Sequence, residues 1–173
     1  EDIINGCTFD NNLPCIAEKE VVVVDTVADE LIYHMEQNGC YHASPEEVQK
    51  LVDTVLDDKN GKKVISRKCV GRSAKVLLGK IGVTVGDEVR CIIFEGEKTH
   101  PLIWTELMMP ILGIVRVKNV DEGIAVAVEL EHGNRHSAHM HSTNINNLTR
   151  FGKAIDTAIF VKNAPSYAAL GFG

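Results

Sequence analysis

The chain has 173 residues, with 18 basic against 24 acidic side chains, a formal charge of -6, 45% hydrophobic and 24% charged residues. That composition describes one soluble globular domain, and at this length about 70% of the unfolded chain's surface is buried on folding, so neither disulfides nor a metal is needed to supply a core. The acidic balance lacks a basic stripe and argues against nucleic acid, since Lys62, Lys63, Arg67 and Lys68 form only a small solvated cluster. The longest apolar stretches, Val21 to Val24 and Ile111 to Val117, fall far short of the roughly 18 residues of a membrane span, and no signal peptide opens the chain.

The elements follow from pattern and punctuation. Val21 to Asp25 is a short run of β-branched residues that predicts a buried strand, with Thr26 capping a helix over Val27 to Met35. Ser44-Pro45-Glu46-Glu47 sets a capping serine, a first-turn proline and two early acids before Val48, Leu51, Val52, Val55 and Leu56 at helical spacing. A helix over Gly71 to Lys80 leads through the Gly82 to Gly86 loop to a strand at Val89 to Phe94, and Ile111 to Val117 is a further strand. Asn119 caps a helix over Asp121 to Glu131. A strand at His136 to His141, a helix over Asn144 to Ala154 capped by Ser142 or Asn144, and a strand at Ala158 to Val161 complete the series.

Such alternation predicts an α/β fold, a parallel sheet covered by helices on both faces, with ligands at the carboxyl ends of the strands. Neither G-x-G-x-x-G nor G-x-x-x-x-G-K-[ST] is present, so the usual sequence sign of a nucleotide cradle is missing. The chain opens on Glu1 and stops at Leu170-Gly171-Phe172-Gly173, which reads as part of a longer protein.

Five cysteines, at 7, 15, 40, 69 and 91, form no C-x-x-C pair. An odd count argues against a disulfide framework and points to a reducing cytoplasm. Cys15 has the most suggestive setting. Asn11, Asn12 and Pro14 build a polar turn before it, and Ile16-Ala17-Glu18-Lys19 can open a helical turn after it, placing a thiol where backbone N-H groups favour a thiolate and can hold an oxyanion. The alternative is an inert buried thiol, as free cysteines commonly are. Cys69 and Cys91 read as core thiols, Cys7 as a neighbour of Cys15, and Cys40 as loop filler.

His132, His136, His139 and His141 crowd one region, but strand alternation puts His139 and His141 on one face and His136 on the other, so no metal is expected there. His136 follows the Gly133-Asn134-Arg135 turn, where an imidazole can act as general base near neutral pH. Glu106 precedes Leu107-Met108-Met109-Pro110 and reads as either a surface acid or a holder of ligand hydroxyls, with the three apolar residues as core or pocket lining.

The run Phe9-Asp10-Asn11-Asn12-Leu13-Pro14-Cys15-Ile16-Ala17-Glu18-Lys19 resembles the active-site segment of the CoA-acylating aldehyde dehydrogenases of ethanolamine and propanediol utilisation. The resemblance continues through Thr105 to Gly113, through His132-Gly133-Asn134-Arg135-His136-Ser137-Ala138, and through Phe160 to Tyr167. It implies that residues 1-173 are the cysteine-bearing catalytic domain of the aldehyde dehydrogenase superfamily, a three-layer parallel-sheet fold, with the dinucleotide-binding domain absent from this chain.

The implied reaction converts a short-chain aldehyde, acetaldehyde or propionaldehyde, with NAD and coenzyme A into acyl-CoA and NADH through a cysteine thioester. Cys15 matches the nucleophile, Glu106 the acid that holds the nicotinamide ribose hydroxyls, and His136 a histidine that assists proton transfer from the coenzyme A thiol. The resemblance further implies a homo-oligomer for the full-length protein, a place in the cytoplasm or within a bacterial microcompartment, and an isolated chain with little activity. Two other readings of the residues stay open: a self-contained cysteine hydrolase using Cys15 and His136, and a non-catalytic cytosolic interaction domain whose apolar tail, Ala164 to Phe172, docks a partner.

Overall fold

The computed structural model describes residues 1-171. Phe172 and Gly173, which end the glycine-rich segment and the apolar tail, lie outside the described residues.

The principal sheet has four strands in the order β1-β6-β5-β2: β1 (Glu20–Val24), β2 (Cys40–His42), β5 (Cys91–Glu95) and β6 (Ile111–Val117). All three pairings are parallel, with Glu20 opposite Gly113, Ile92 opposite Ile111, and Cys40 opposite Cys91. Side chains alternate between its faces, as the two-residue strand period requires. Ile92, Phe94, Ile111 and Val115 enter a core shared with helices α3 (Pro45–Val55), α4 (Ala74–Lys80), α5 (Pro101–Trp104) and α6 (Val120–Leu130). Val21, Val23, Cys91, Ile93, Leu112 and Ile114 enter the other, against α1 (Asp2–Thr8) and α2 (Asp25–Gln37). This is the expected parallel α/β architecture of three layers.

Two smaller sheets stand apart. β3 (Leu56–Lys59) and β4 (Lys62–Ile65) form an antiparallel hairpin, unforeseen although Asn60 and Gly61 carry the positive φ angles, 55° and 75°, that a two-residue turn requires. β7 (Ser137–Met140) and β8 (Ile159–Lys162) pair in parallel with each other, not with the main sheet, and are bridged by α7 (Ile145–Ala154).

Local signals explain most boundaries. Ser44 and Glu47 make a reciprocal capping box on α3, and Asn119 and Asn144 cap α6 and α7 by accepting from Glu122 N-H and Asn146 N-H. The expected cap at Thr26 is not found. α2 starts a residue earlier, at Asp25, with no side-chain cap bond. Gly71 has φ 68° and cannot open α4, which starts at Ala74 behind the Ser73 cap. Cys40 is not loop filler: it lies in β2, 8% exposed.

Candidate active site

The segment before Cys15 is held in an unusual conformation. Asp10, Asn11 and Asn12 have φ angles of 46°, 51° and 66°, three successive residues in the left-handed region. Asp and Asn tolerate that region better than other residues with a Cβ, because their short polar groups bond locally, yet each such residue costs free energy that surrounding contacts must offset. Asn12 supplies those contacts. It is 4% exposed, and its Nδ2 donates to Cys7 O and to Glu18 O, both at 2.9 Å.

Cys15 therefore sits on a loop closed at its base by one side chain. Ala17 N-H donates to Pro14 O at 3.0 Å, which makes a single turn, and no helix follows, because the chain is already extended where β1 begins at Glu20. The expected helix terminus is absent, so no helix opens directly after Cys15 to set its macrodipole on the thiol. Cys15 is exposed whereas Cys7, Cys40, Cys69 and Cys91 are all buried. Cys7 touches the Cys15 loop through Asn12, whose Nδ2 donates to Cys7 O, and its Sγ lies 3.8 Å from Cys91 Sγ in the core beneath β5. The Cys91 thiol is pushed well up by hydrogen bonding with Cys40 and Cys7 and by burial.

Three loops meet here, and all of them enter strands. The Cys15 loop leads into β1, the Glu106 loop into β6, and the His136 loop into β7. The candidate residues thus precede the amino ends of the strands, not their carboxyl ends as strand alternation predicted. At the carboxyl end of the sheet, Arg116 in β6 is bound by Glu95 of β5 and by Asp25 and Asp29 of α2.

Lys19 and its neighbours join the loops. Lys19 Nζ donates to Ile103 O at 3.2 Å and to Leu130 O at 3.5 Å, and lies 3.1 Å from Glu20 Oε2. That carboxylate oxygen receives no well-directed hydrogen bond, so the contact is an ion pair. Burial drives the Glu20 pKa up to about 7 against the pull of Lys19, with Glu106 adding to the rise. On the neighbouring loop, Glu106 is exposed as a residue, yet nearby atoms partly desolvate its carboxylate and raise its pKa, opposed by the charges of Lys19 and His136. Glu106 and His136 thus share one electrostatic neighbourhood. No hydrogen bond joins Cys15 to either of them among the described residues.

The His136 loop is braced separately. His136 N-H donates to Glu131 Oε1 at 3.0 Å, while the His132 ring lies 4.3 Å from the Trp104 ring and its Nε2 is 3.2 Å from Trp104 O. Leu13 packs on Gly71, where an added Cβ would stand 3.0 Å from Leu13 Cδ2, and Gly71 N-H donates to Met108 O at 2.9 Å. Leu107 and Met109 are buried in the core, as expected.

Sequence reasoning did not single out Glu18, Lys19 or Glu20. The available signal was three consecutive charges immediately before an apolar strand, where charged side chains must find partners. Glu18 is 6% exposed, its Oε1 accepts from Ser166 N-H at 3.1 Å, its Oε2 has no hydrogen-bond partner among the described residues, and burial raises its pKa to about 7. Ser166 is itself buried in a short turn over Ser166–Leu170, so the described part of the apolar tail packs on the Cys15 segment.

Of the other histidines, His139 is held near pKa 4 by burial, with His141 adding to the shift. Among the described residues no three His, Cys, Asp or Glu side chains are grouped to hold a metal ion. A surface concavity of about 520 Å³ lined by Asn5, Thr8, Phe9, Asp10, Arg90 and Tyr167 contains none of Cys15, Glu106 and His136. No helix among the described residues is long and apolar enough to cross a membrane.

The sequence model of the aldehyde dehydrogenase family matches residues 1-172. The chain belongs to the aldehyde dehydrogenase family. It is 45% identical over its whole length to the acetylating acetaldehyde dehydrogenase EutE of Salmonella typhimurium, but spans only 38% of that relative. Among solved structures it is similar to a propionaldehyde dehydrogenase from the fucose utilisation microcompartment of Clostridium phytofermentans, with TM-score 0.96 and 61% identity over 99% of this chain and 39% of that one. It is also similar to the propionaldehyde dehydrogenase of Rhodopseudomonas palustris with bound CoA and an acylated cysteine, with TM-score 0.94 and 50% identity over 98% of this chain and 38% of that one.

Proposed function

We propose that this aldehyde dehydrogenase chain is the catalytic part of a CoA-acylating enzyme for short-chain aldehydes, with Cys15 as nucleophile. One observation carries the assignment: a strained, side-chain-locked turn presents Cys15 to solvent while four other thiols are buried. The structures of similar enzymes that act on propionaldehyde, one with CoA and an acylated cysteine, support the substrate class and favour this reading over a self-contained hydrolase or an interaction domain.

The steps assign a task to each residue. The Cys15 thiolate adds to the aldehyde carbon and forms a hemithioacetal oxyanion. NAD, when bound, supplies the acceptor for the hydride that leaves this carbon. Cys15 is then left as a thioester, His136 takes the proton from the coenzyme A thiol, the new thiolate attacks the acyl carbon, and the bond to Cys15 Sγ breaks. Glu106 fits the ribose of such a dinucleotide: among the described residues no protein group donates to either of its oxygens, so both are free to accept from a vicinal diol.

Most of the dinucleotide site lies in a part of the complete protein outside this chain, so the isolated chain is expected to be nearly inactive. Assembly of the complete protein into an oligomer rests on the family resemblance. A cytoplasmic or microcompartment location is supported by the microcompartment source of one similar enzyme.

The test is NADH formation from propionaldehyde by the complete protein. It should require coenzyme A and vanish in Cys15→Ser. Cys15-dependent hydrolysis of acyl esters without NAD or coenzyme A, in the absence of that activity, would sink the proposal.

A further inference from the structure

We propose that Lys19 is the positioning residue that holds the Glu106 and His136 loops in register with the loop bearing Cys15. It stands four residues after Cys15, and its ammonium group reaches backbone carbonyls on two separate elements, Ile103 O in α5 and Leu130 O at the end of α6. Ile103 is three residues before Glu106, and Leu130 six before His136.

Carbonyls in the last turn of a helix have no partner within it and carry the negative end of the helix dipole. A buried cation satisfies both at once. Lys19 is only 17% exposed and has Glu20 at 3.1 Å as counter-ion, so its ammonium is fixed, not a solvated surface charge. The two loops it joins also touch each other through Trp104 and His132. In the charge cluster, Lys19 faces Glu20 from β1, Glu106 from the loop after α5, and, across Glu106, His136 from the loop after α6. One side chain thereby sets the separation of the three residues to which the proposed reaction assigns tasks.

The assignment of Lys19 rests on the dehydrogenase reading only for what the aligned loops accomplish. The test is made in the complete protein with Lys19→Met, which keeps the apolar stem, and Lys19→Arg, which keeps charge and donors. In Lys19→Met, amide hydrogen exchange should accelerate about tenfold or more in both residues 103-108 and residues 131-137, and the KM for NAD should rise about tenfold. The acid limb of NAD affinity should move to higher pH, because Glu106 loses the nearby cation that favours its charged form. Lys19→Arg should restore all three.

Exchange that rises in only one loop, that rises uniformly over the chain, or that does not change would overturn the assignment. So would an unmoved acid limb. Should Lys19→Met fail to fold, native-state exchange of the unmodified protein decides: the two loops must open together as denaturant is added, and independent opening refutes the staple. If the complete protein makes no CoA-dependent NADH while paired exchange still responds to Lys19, the functional reading fails and the positioning role stands.

Discussion

Asn12 Nδ2 donates to Glu18 O at 2.9 Å and so closes the loop that carries Cys15. The same nitrogen donates to Cys7 O, while the Asn12 backbone sits at φ 66°. One residue thus satisfies two carbonyl groups and tolerates a conformation that most side chains disfavour. Asn12→Ala removes both contributions and should cost about 2–4 kcal/mol in urea unfolding. Asn12→Asp preserves shape and left-handed tolerance but sets a carboxylate against two carbonyl oxygens, so it should be no better than alanine at neutral pH. If Asn12→Asp matched the parent protein, the side-chain closure would not be what holds the turn.

Exposure separates the five thiols sharply. Cys15 alone is open to solvent, whereas Cys7 and Cys91 are fully buried and Cys40 and Cys69 nearly so. Iodoacetamide should therefore modify one equivalent in the native protein and five after unfolding. Peptide mapping should place the first label on Cys15. A native label spread over several cysteines would contradict the buried cluster and the special status of Cys15 together.

Much of this was legible in the sequence because the deciding signals were local. The Ser44 capping box, the Asn119 cap and the Ile111–Val117 strand read directly as they fold. What escaped was set by distant contacts. The turn after Cys15 does not extend into a helix because Asn12 ties Glu18 back and the chain must join β1 opposite β6. Cys40 looked like filler because its strand is three residues long and is recognisable only from its pairing with β5. β7 and β8 carried strand patterns, but nothing local to them says that they pair apart from the main sheet. At the candidate site, the sequence placed Cys15, Glu106 and His136 in recognisable motifs, and the roles proposed for them rest on that reading. The Lys19 staple was not legible, since its partners are carbonyls 84 and 111 residues away.

Burial of Glu18 and Glu20 makes stability depend on pH in a defined direction. Both pKa values rise from 4.5 to about 7, so between those values the folded chain binds more protons than the unfolded one. Their contribution is favourable on the acid side and is lost as pH rises through about 7. His139 acts oppositely. Its pKa falls from 6.5 to about 4, so its contribution is lost as pH falls through that window. Between pH 4.5 and 6.5 the two carboxyls outweigh the one imidazole, so on these three groups thermal stability should be greatest near pH 4.5 and fall toward neutrality. Glu18→Gln, which carries no charge, should stabilise the protein by about 1–2 kcal/mol at pH 8 and by much less near pH 5.5. An equal effect at both values would show that Glu18 is not the group whose ionisation is penalised.

Gly6 lies within α1, where replacing glycine by alanine ordinarily stabilises a helix by about 1 kcal/mol. Here the opposite is expected. A Cβ at Gly6 would overlap both carboxylate oxygens of Glu18, a buried group already committed to Ser166 N-H. Gly6→Ala should force that carboxylate out of its place, release the Ser166 turn, and cost about 1–3 kcal/mol. In a Glu18→Ala background the obstacle is gone, and the same Gly6→Ala change should become neutral or stabilising through helix propensity. A double-mutant cycle by urea unfolding measures this reversal. Additive costs in the two backgrounds would mean that α1 does not pack against Glu18 as the structure shows, whereas a change of sign would establish that the glycine is required by the carboxylate three residues after Cys15.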